Sequence, residues 1–196
     1  MSLYSALSIH VVSEPLTYTG AELRPHFLLE QFGIQGTGLA VFQGPCEVPT
    51  GHLVDWEDRL NSDFIRARKM VHVLGEFFGM SLPTAVFFQR LAMAVMSDVL
   101  RESGLKEVVD IRRSGDDLFI GERKLSVSIV TSSAVSQLLH IGINLESEGA
   151  PVSAVGLSDL GWSDAEIRER FLEPWAKRIA EEWRSASWAC TKVKPV

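Results

Sequence analysis

The chain has 196 residues, 46% of them hydrophobic and 22% charged, which suits one domain with a sizeable packed core and excludes gross disorder. Its formal net charge of −6 and pI near 5.4 argue against broad contact with nucleic acid or an anionic lipid surface, both of which reward basic patches.

The first residues, MSLYSALSIHVVSEP, show neither the basic start nor the apolar run of a signal peptide. No stretch approaches the ~20 apolar residues of a membrane helix, so the cytoplasm is the expected location. Residues 6–12, ALSIHVV, read as a short strand. Residues 20–33, GAELRPHFLLEQFG, read as a short helix or as a turn plus strand, with Pro25 blurring the choice. Residues 37–48, TGLAVFQGPCEV, read as a strand flanked by Gly36, Gly38 and Gly44. Cys46 in this strand and Cys190 near the tail are far apart and lack metal-type spacing, so both read as free thiols of a reducing compartment. Residues 49–63 are polar and turn-rich. Residues 64–79, FIRARKMVHVLGEFFG, fit a strand or a helix.

Residues 81–103 form the clearest helix. Ser81 and Pro83 start it and Gly104 stops it. Val86, Phe87, Leu91, Ala94, Val95 and Leu100 make it apolar nearly all round, which places it centrally. KEVVDIRR (106–113) follows, then a turn at Ser114-Gly115-Asp116-Asp117, then two strands within FIGERKLSVSIVTSSAVSQLLHIGINLE (119–146). In the last region, 163–183, Ser163 and Glu166 form a capping box. Ile167, Phe171, Trp175, Ile179 and Trp183 make one apolar stripe, and Pro174 either kinks this helix or opens a second one. The stripe suits packing on a sheet or, alternatively, a homodimer face. The order gives a single α+β domain over 1–196: a mixed or antiparallel sheet packed by a long central helix and a C-terminal helix.

The paired strands carry the chemistry. Lys124, Ser126 and Ser128 share one face of the first, and His140, Gly142 and Asn144 share one face of the second. A turn centred near Ala134 sets Lys124 opposite Asn144, Ser126 opposite Gly142 and Ser128 opposite His140, with all the polar members on one side. Gly142 then leaves a gap that a ligand could fill. A sheet with one wet face shows the same alternation. Small polar residues in place of mixed long charges suit the floor of a cleft.

GDDLFIGERKLSVSI followed by LLHIGINLE resembles the signature of biotin and lipoate protein ligases, over about residues 106–146. The chain also resembles a family of unknown function, number 366, that shares this ligase fold. The resemblance implies that Lys124 contacts an acid's carboxylate and the phosphate of an acyl-adenylate. It implies that Asn144 stands in the return strand and that Asp116 and Asp117 lie near nucleotide or metal. ATP and Mg²⁺ would be the cofactors, and a carrier protein a partner beside the small-molecule ligand. Three departures stand out. The Arg- and Gly-rich phosphate loop has no counterpart, and GIQGTG (33–38) has no adjacent basic residue. Val127 stands where the ligases carry glycine. The only downstream thiol is Cys190.

A second polar cluster spans 51–76. Asp55 and Asp58 could hold Mg²⁺, while Arg66, Arg68 and Lys69 could meet phosphate. His52 with His72 and an acid could instead bind a transition metal. The plain alternative is a solvated loop with surface ion pairs. The function expected is a small-molecule binding domain for a carboxylate or acyl-adenylate, either an ATP-dependent acyl or adenylyl transferase or a non-catalytic ligand- or protein-binding module.

Overall fold

A computed structural model of the chain describes residues 7–61, 63–104 and 110–194. Ala6, part of the first expected strand, and residues 106–109 of the KEVVDIRR segment lie outside the described residues. The strands are β1 (Ser8–Val11), β2 (Gly38–Val48), β3 (Ile65–Phe78), β4 (Ile111–Ser114), β5 (Asp117–Ile120), β6 (Arg123–Lys124), β7 (Ser126–Ser132) and β8 (Ser136–Glu146). The helices are α1 (Phe27–Phe32), α2 (Trp56–Leu60), α3 (Leu82–Glu102), α4 (Asp164–Ile167) and α5 (Glu173–Thr191).

Five strands form a mixed sheet in the order β1-β2-β3-β8-β7, parallel only between β1 and β2. The fold is α+β, as the order of elements implies. The segment that fitted strand or helix is the central strand β3. Its apolar residues alternate between the two faces, and β2 and β8 satisfy both of its edges. A smaller sheet, β4-β5-β6, is built from two tight hairpins, the first turning at Gly115 with φ 63.

Odd-numbered residues of β3 from Val71 onward, and of β8, face the helices; before the irregularity at Lys69/Met70 the phase changes, and Ala67 packs on the opposite face. Val71, Val73, Ile141 and Ile143 pack with Met93, Met96 and Leu100 of α3 and with Trp175 of α5. Ser81 caps α3 by accepting from the Thr84 N–H, and Trp175 Nε1 donates to Ala92 O at 3.2 Å, which ties α5 to α3. The capping box at Ser163 and Glu166 is present. A π-helical turn at Arg168–Leu172 separates α4 from α5, and Pro174 lies in the first turn of α5. The proline therefore opens a second helix, and the wider turn before it accepts a ring that an uninterrupted α-helix would exclude. This last helix runs on to Thr191, beyond the expected end at 183. The opposite face of the sheet is covered without a long helix, by Tyr18, Leu28, Ile34 and Leu53.

Two expectations need correction. The polar segment 49–61 is not a plain loop: a 3-10 turn at Thr50–His52 precedes α2, which Asp55 caps by accepting from the Glu57 and Asp58 N–H groups, while Ser62 of the same expected segment lies outside the described residues. The register of the β7–β8 hairpin also differs by one residue. Ser126 pairs with Ile143, Val127 with Gly142, Ser128 with Ile141 and Ile129 with His140. The loop holds two residues, Ala134 and Val135, between Ser133 and Ser136, and the Ser133 hydroxyl accepts from the Val135 and Ser136 N–H groups. A turn centred on Ala134 alone would need an odd loop. One residue of slip exchanges the faces, so Ser126 and Ser128 turn toward the helices while His140, Gly142 and Asn144 turn away.

No helix among the described residues is long and apolar enough to cross a membrane. Cys46 is buried and Cys190 exposed, and both are free.

Candidate functional site

Lys124 stands at the corner between the two sheets. The Leu125 N–H donates to Leu118 O in the small sheet, and the Leu125 carbonyl accepts from Asn144 N in the large one. One residue thus hands the chain from one sheet to the other. Lys124 is held from both sides, its N–H donating to Ser153 O and its carbonyl accepting from the Val155 N–H. Asn144 Nδ2 donates to the same carbonyl at 3.2 Å, so this amide fixes the lysine's backbone.

A cavity of about 400 Å³ opens at this corner. Lys124, Asn144, Asp116, Asp117, Ser126 and His140 contribute to its wall. Asp55, Asp58 and Arg66 approach from the segment around α2, and residues 150–154 complete the enclosure. Residues from Leu53 to Ala154 meet here because β8 returns beside β3.

The electrostatics are dominated by carboxylates. Lys124 Nζ lies 2.9 Å from Asp117 Oδ2, with side chains 31% and 25% exposed. Burial raises the Asp117 pKa above the usual carboxylate value, although Lys124 pulls it down. Asp58 is raised by burial first, then by Asp55 and Asp63, against the opposing pull of Lys124. Asp116 is committed elsewhere: Arg90 Nη1 donates to Oδ1 at 2.8 Å, and Gln89 Nε2 donates to Oδ2 at 3.1 Å and to Ser128 Oγ at 2.7 Å. This network pins the β4–β5 turn to α3 and β7. The Ser126 hydroxyl accepts from the Leu118 N–H at 2.7 Å and is likewise spent on backbone.

His140 reaches the cavity from a buried pair. His72 Nδ1 and His140 Nε2 are 3.1 Å apart, and His72 Nε2 donates to Gly44 O at 3.2 Å. Tyr18 stacks on His140 with ring centroids 3.8 Å apart and planes 14° from parallel. Burial pushes the His72 pKa down to about 4, against the raising effect of its backbone partners. Burial and then His72 hold His140 well below its ordinary value.

Other predicted residues lie elsewhere. Gly142 offers no ligand niche, because a Cβ built there would lie 2.6 Å from Met70 Cε and 3.0 Å from Val127 Cγ2, so side chains already fill the gap. His52 is exposed and donates from Nδ1 to Thr19 O at 2.8 Å. His72 is buried, and its two ring nitrogens meet His140 and Gly44 O, so neither is turned to His52. Among the described residues, no group of three His, Cys, Asp or Glu could hold a metal ion. Arg68 pairs with Glu146 and Glu148 beside a second cavity of about 620 Å³, where Lys69 pairs with Asp164 at 2.7 Å. Arg168 also lines that cavity and pairs with Glu173, so its three cations are all engaged.

Sequence reasoning missed Tyr18, the 150–154 segment, and the roles of Gln89 and Arg90. The last two carried a signal, being adjacent polar residues within an apolar helix.

The solved structure of a protein of unknown function from Pyrococcus horikoshi matches with TM-score 0.87 and 34% identity over 97% of this chain and 99% of that one. An uncharacterised protein of Methanocaldococcus jannaschii is 34% identical over 88% of this chain and 80% of its own length. Two ligases share the fold at low identity. One is an Aquifex aeolicus biotin protein ligase variant with bound biotin: TM-score 0.56, 14% identity, over 92% of this chain and 71% of that one. The other is a candidate lipoate protein ligase from T. acidophilum with bound lipoic acid: TM-score 0.57, 11% identity, over 90% and 92%. The family model described as "Domain of unknown function (DUF366)" matches residues 7–194, and the chain belongs to that family.

Proposed function

We propose that the 400 Å³ cavity binds a small molecule through a carboxylate, or an equivalent acyl anion, at Lys124. The observation that carries this reading is an ammonium held at the joint of two sheets, in the wall of a half-open hollow, with its backbone clamped by Asn144 and by residues 153–155. A cation in a partly desolvated cleft meets an anion more strongly than one in open water. The ligase neighbours, solved with biotin and with lipoic acid, support an acid as the ligand class.

A triphosphate does not fit this wall. Five aspartates, Asp55, Asp58, Asp63, Asp116 and Asp117, line it against Lys124 and Arg66, and Lys124 is already paired with Asp117. Mg²⁺ on Asp55 and Asp58 fits no better: among the described residues no group of three His, Cys, Asp or Glu could hold a metal ion, and Asp55 Oδ1 is taken up in capping α2. The arrangement supports binding of an acid and not its adenylation. Trp56 and Leu60, 72% and 81% exposed on α2 beside the cavity, favour a second reading in which the occupied site is presented to a protein partner.

Melting temperature tests this. With octanoate, lipoate or biotin at ~100 times its dissociation constant, the fold should gain about 2.7 kcal/mol, and the gain should vanish in Lys124→Ala. ATP with Mg²⁺ should add nothing. A flat response to every acid, from a protein that melts cooperatively, sinks the reading.

A further inference from the structure

His140 belongs to the cavity wall, and its hydrogen bonds fix what it presents there. A carbonyl oxygen only accepts, so His72 Nε2, 3.2 Å from Gly44 O, carries the proton. His72 is fully buried with its pKa pushed down to about 4, so at neutral pH its Nδ1 keeps a lone pair. That lone pair faces His140 Nε2 at 3.1 Å, which makes His140 the donor and Nε2 its protonated nitrogen. His140 is neutral as well. Its Nδ1 is therefore a bare acceptor, and among the described residues no hydrogen bond reaches it.

The sheet gives this nitrogen a direction. His140 lies between Leu74 of β3 and Ile129 of β7. Its Nε2 reaches toward β3, where His72 stands. The two ring nitrogens of an imidazole point in nearly opposite in-plane directions, so Nδ1 turns toward β7. There Val127 and Ile129 line the cavity. Tyr18, stacked on the ring, holds its plane.

We propose that the cavity's ligand is an acid whose body carries an N–H or O–H donor, received by His140 Nδ1, and not a plain aliphatic acid. This rests on the carboxylate reading of Lys124. A buried acceptor facing a hydrocarbon chain goes unpaired, and that disfavours the plain acid. The surplus of carboxylates works in the same direction, because it repels a second anionic group and favours a donor.

The test uses the whole chain and matched probes. Positions 140 and 144 on one strand are roughly 13 Å apart, so pairs of plain and ω-hydroxy acids of about six to ten carbons span the site. Calorimetry should find one ω-hydroxy acid binding about tenfold tighter than its plain partner, a difference of about 1.4 kcal/mol. His140→Phe, which keeps a ring against Tyr18, should bring the plain and hydroxy acids to equal affinity. Nitrogen-15 NMR of the imidazoles should show His140 protonated at Nε2 only, with the Nδ1 resonance moving when the hydroxy acid is added. Octan-1-ol, a donor without a carboxylate, separates the two claims. If octanol moves Nδ1 but no acid binds, the acceptor role stands and the carboxylate reading falls. Equal binding of plain and hydroxy acids, a proton on His140 Nδ1, or no probe that moves Nδ1 overturns the proposal.

Discussion

Val71, Val73, Ile141 and Ile143 point to one face of β3 and β8, while His72, Glu76, His140 and Asn144 point to the other. Both sets are buried, and the same strands carry them. The first face meets two long helices whose apolar residues interlock with it. The second meets turns and short segments that bring backbone groups and polar side chains. Glu76 accepts from the His26 N–H at 3.0 Å and from the Ser136 hydroxyl at 2.7 Å, and His72 donates to Gly44 O. The difference teaches where a site can form. A face covered by helices is closed by shape alone. A face covered by loops must satisfy polar groups one at a time, and it leaves a hollow where the cover ends at Lys124.

Breaking the helix-covered face should cost most. Leu139 is 1% exposed within that core, so Leu139→Ala should lose about 2–5 kcal/mol in chemical denaturation. A loss under about 1 kcal/mol would mean that this face is not the stabilising one.

Acid should break the other face. His72 titrates near 6.5 when unfolded and near 4 when folded, so the unfolded chain binds the extra proton between those values. Stability is therefore complete above pH 6.5 and falls as pH drops toward 4, by about 1.4 kcal/mol per unit for this residue, or about 3 kcal/mol in all. His140, also held down by burial and then by His72, adds to the loss. Denaturation midpoints across this range should fall steeply in the wild type and less in His72→Gln. A flat profile would mean that the pair is not buried neutral.

How much of this was legible in the sequence follows the same division. The apolar face could be read: periodicity gave α3, its Ser81 cap and the β8 core residues, because burial against helices imposes one simple pattern. The polar face could be read only as composition. Lys124, Asn144 and His140 were picked out, and they do border one cavity, yet their partners were not visible. The hairpin register turned on whether Ala134 or the Ala134-Val135 pair formed the loop, and a Ser-Ser-Ala-Val-Ser run has no glycine to decide it. Asp55 and Asp116 read as ligand groups, whereas one caps a helix and the other anchors a turn. A carboxylate's neighbours come from distant segments, and no local pattern announces them.

Lys124→Ala should hardly change stability. The pair with Asp117 is about one quarter to one third exposed, and such pairs contribute about 0–1 kcal/mol. The freed Asp117, already raised by burial, can take up a proton and so avoid a stranded charge. Denaturation should place this variant within about 0.5 kcal/mol of wild type. A marked loss would make Lys124 a structural residue.

The smallest effect is also the most specific to the site. A ligand carboxylate at Lys124 shares the ammonium that now holds Asp117 ionised. The Asp117 pKa, raised by burial and by Asp116 and lowered by Lys124 and Arg90, must then rise further. Asp58 across the cavity, raised by burial, Asp55 and Asp63, responds in the same direction. Binding an acid should therefore take up a fraction of a proton, and affinity should weaken as pH rises through the range where these aspartates lose theirs. Calorimetry of one acid in buffers of different ionisation heat reads that proton directly. Asp117→Asn should abolish most of the uptake and tighten binding at neutral pH, because the competitor for Lys124 is gone. Binding heats independent of buffer, with Asp117→Asn no tighter than wild type, would show that the acid sits away from Lys124.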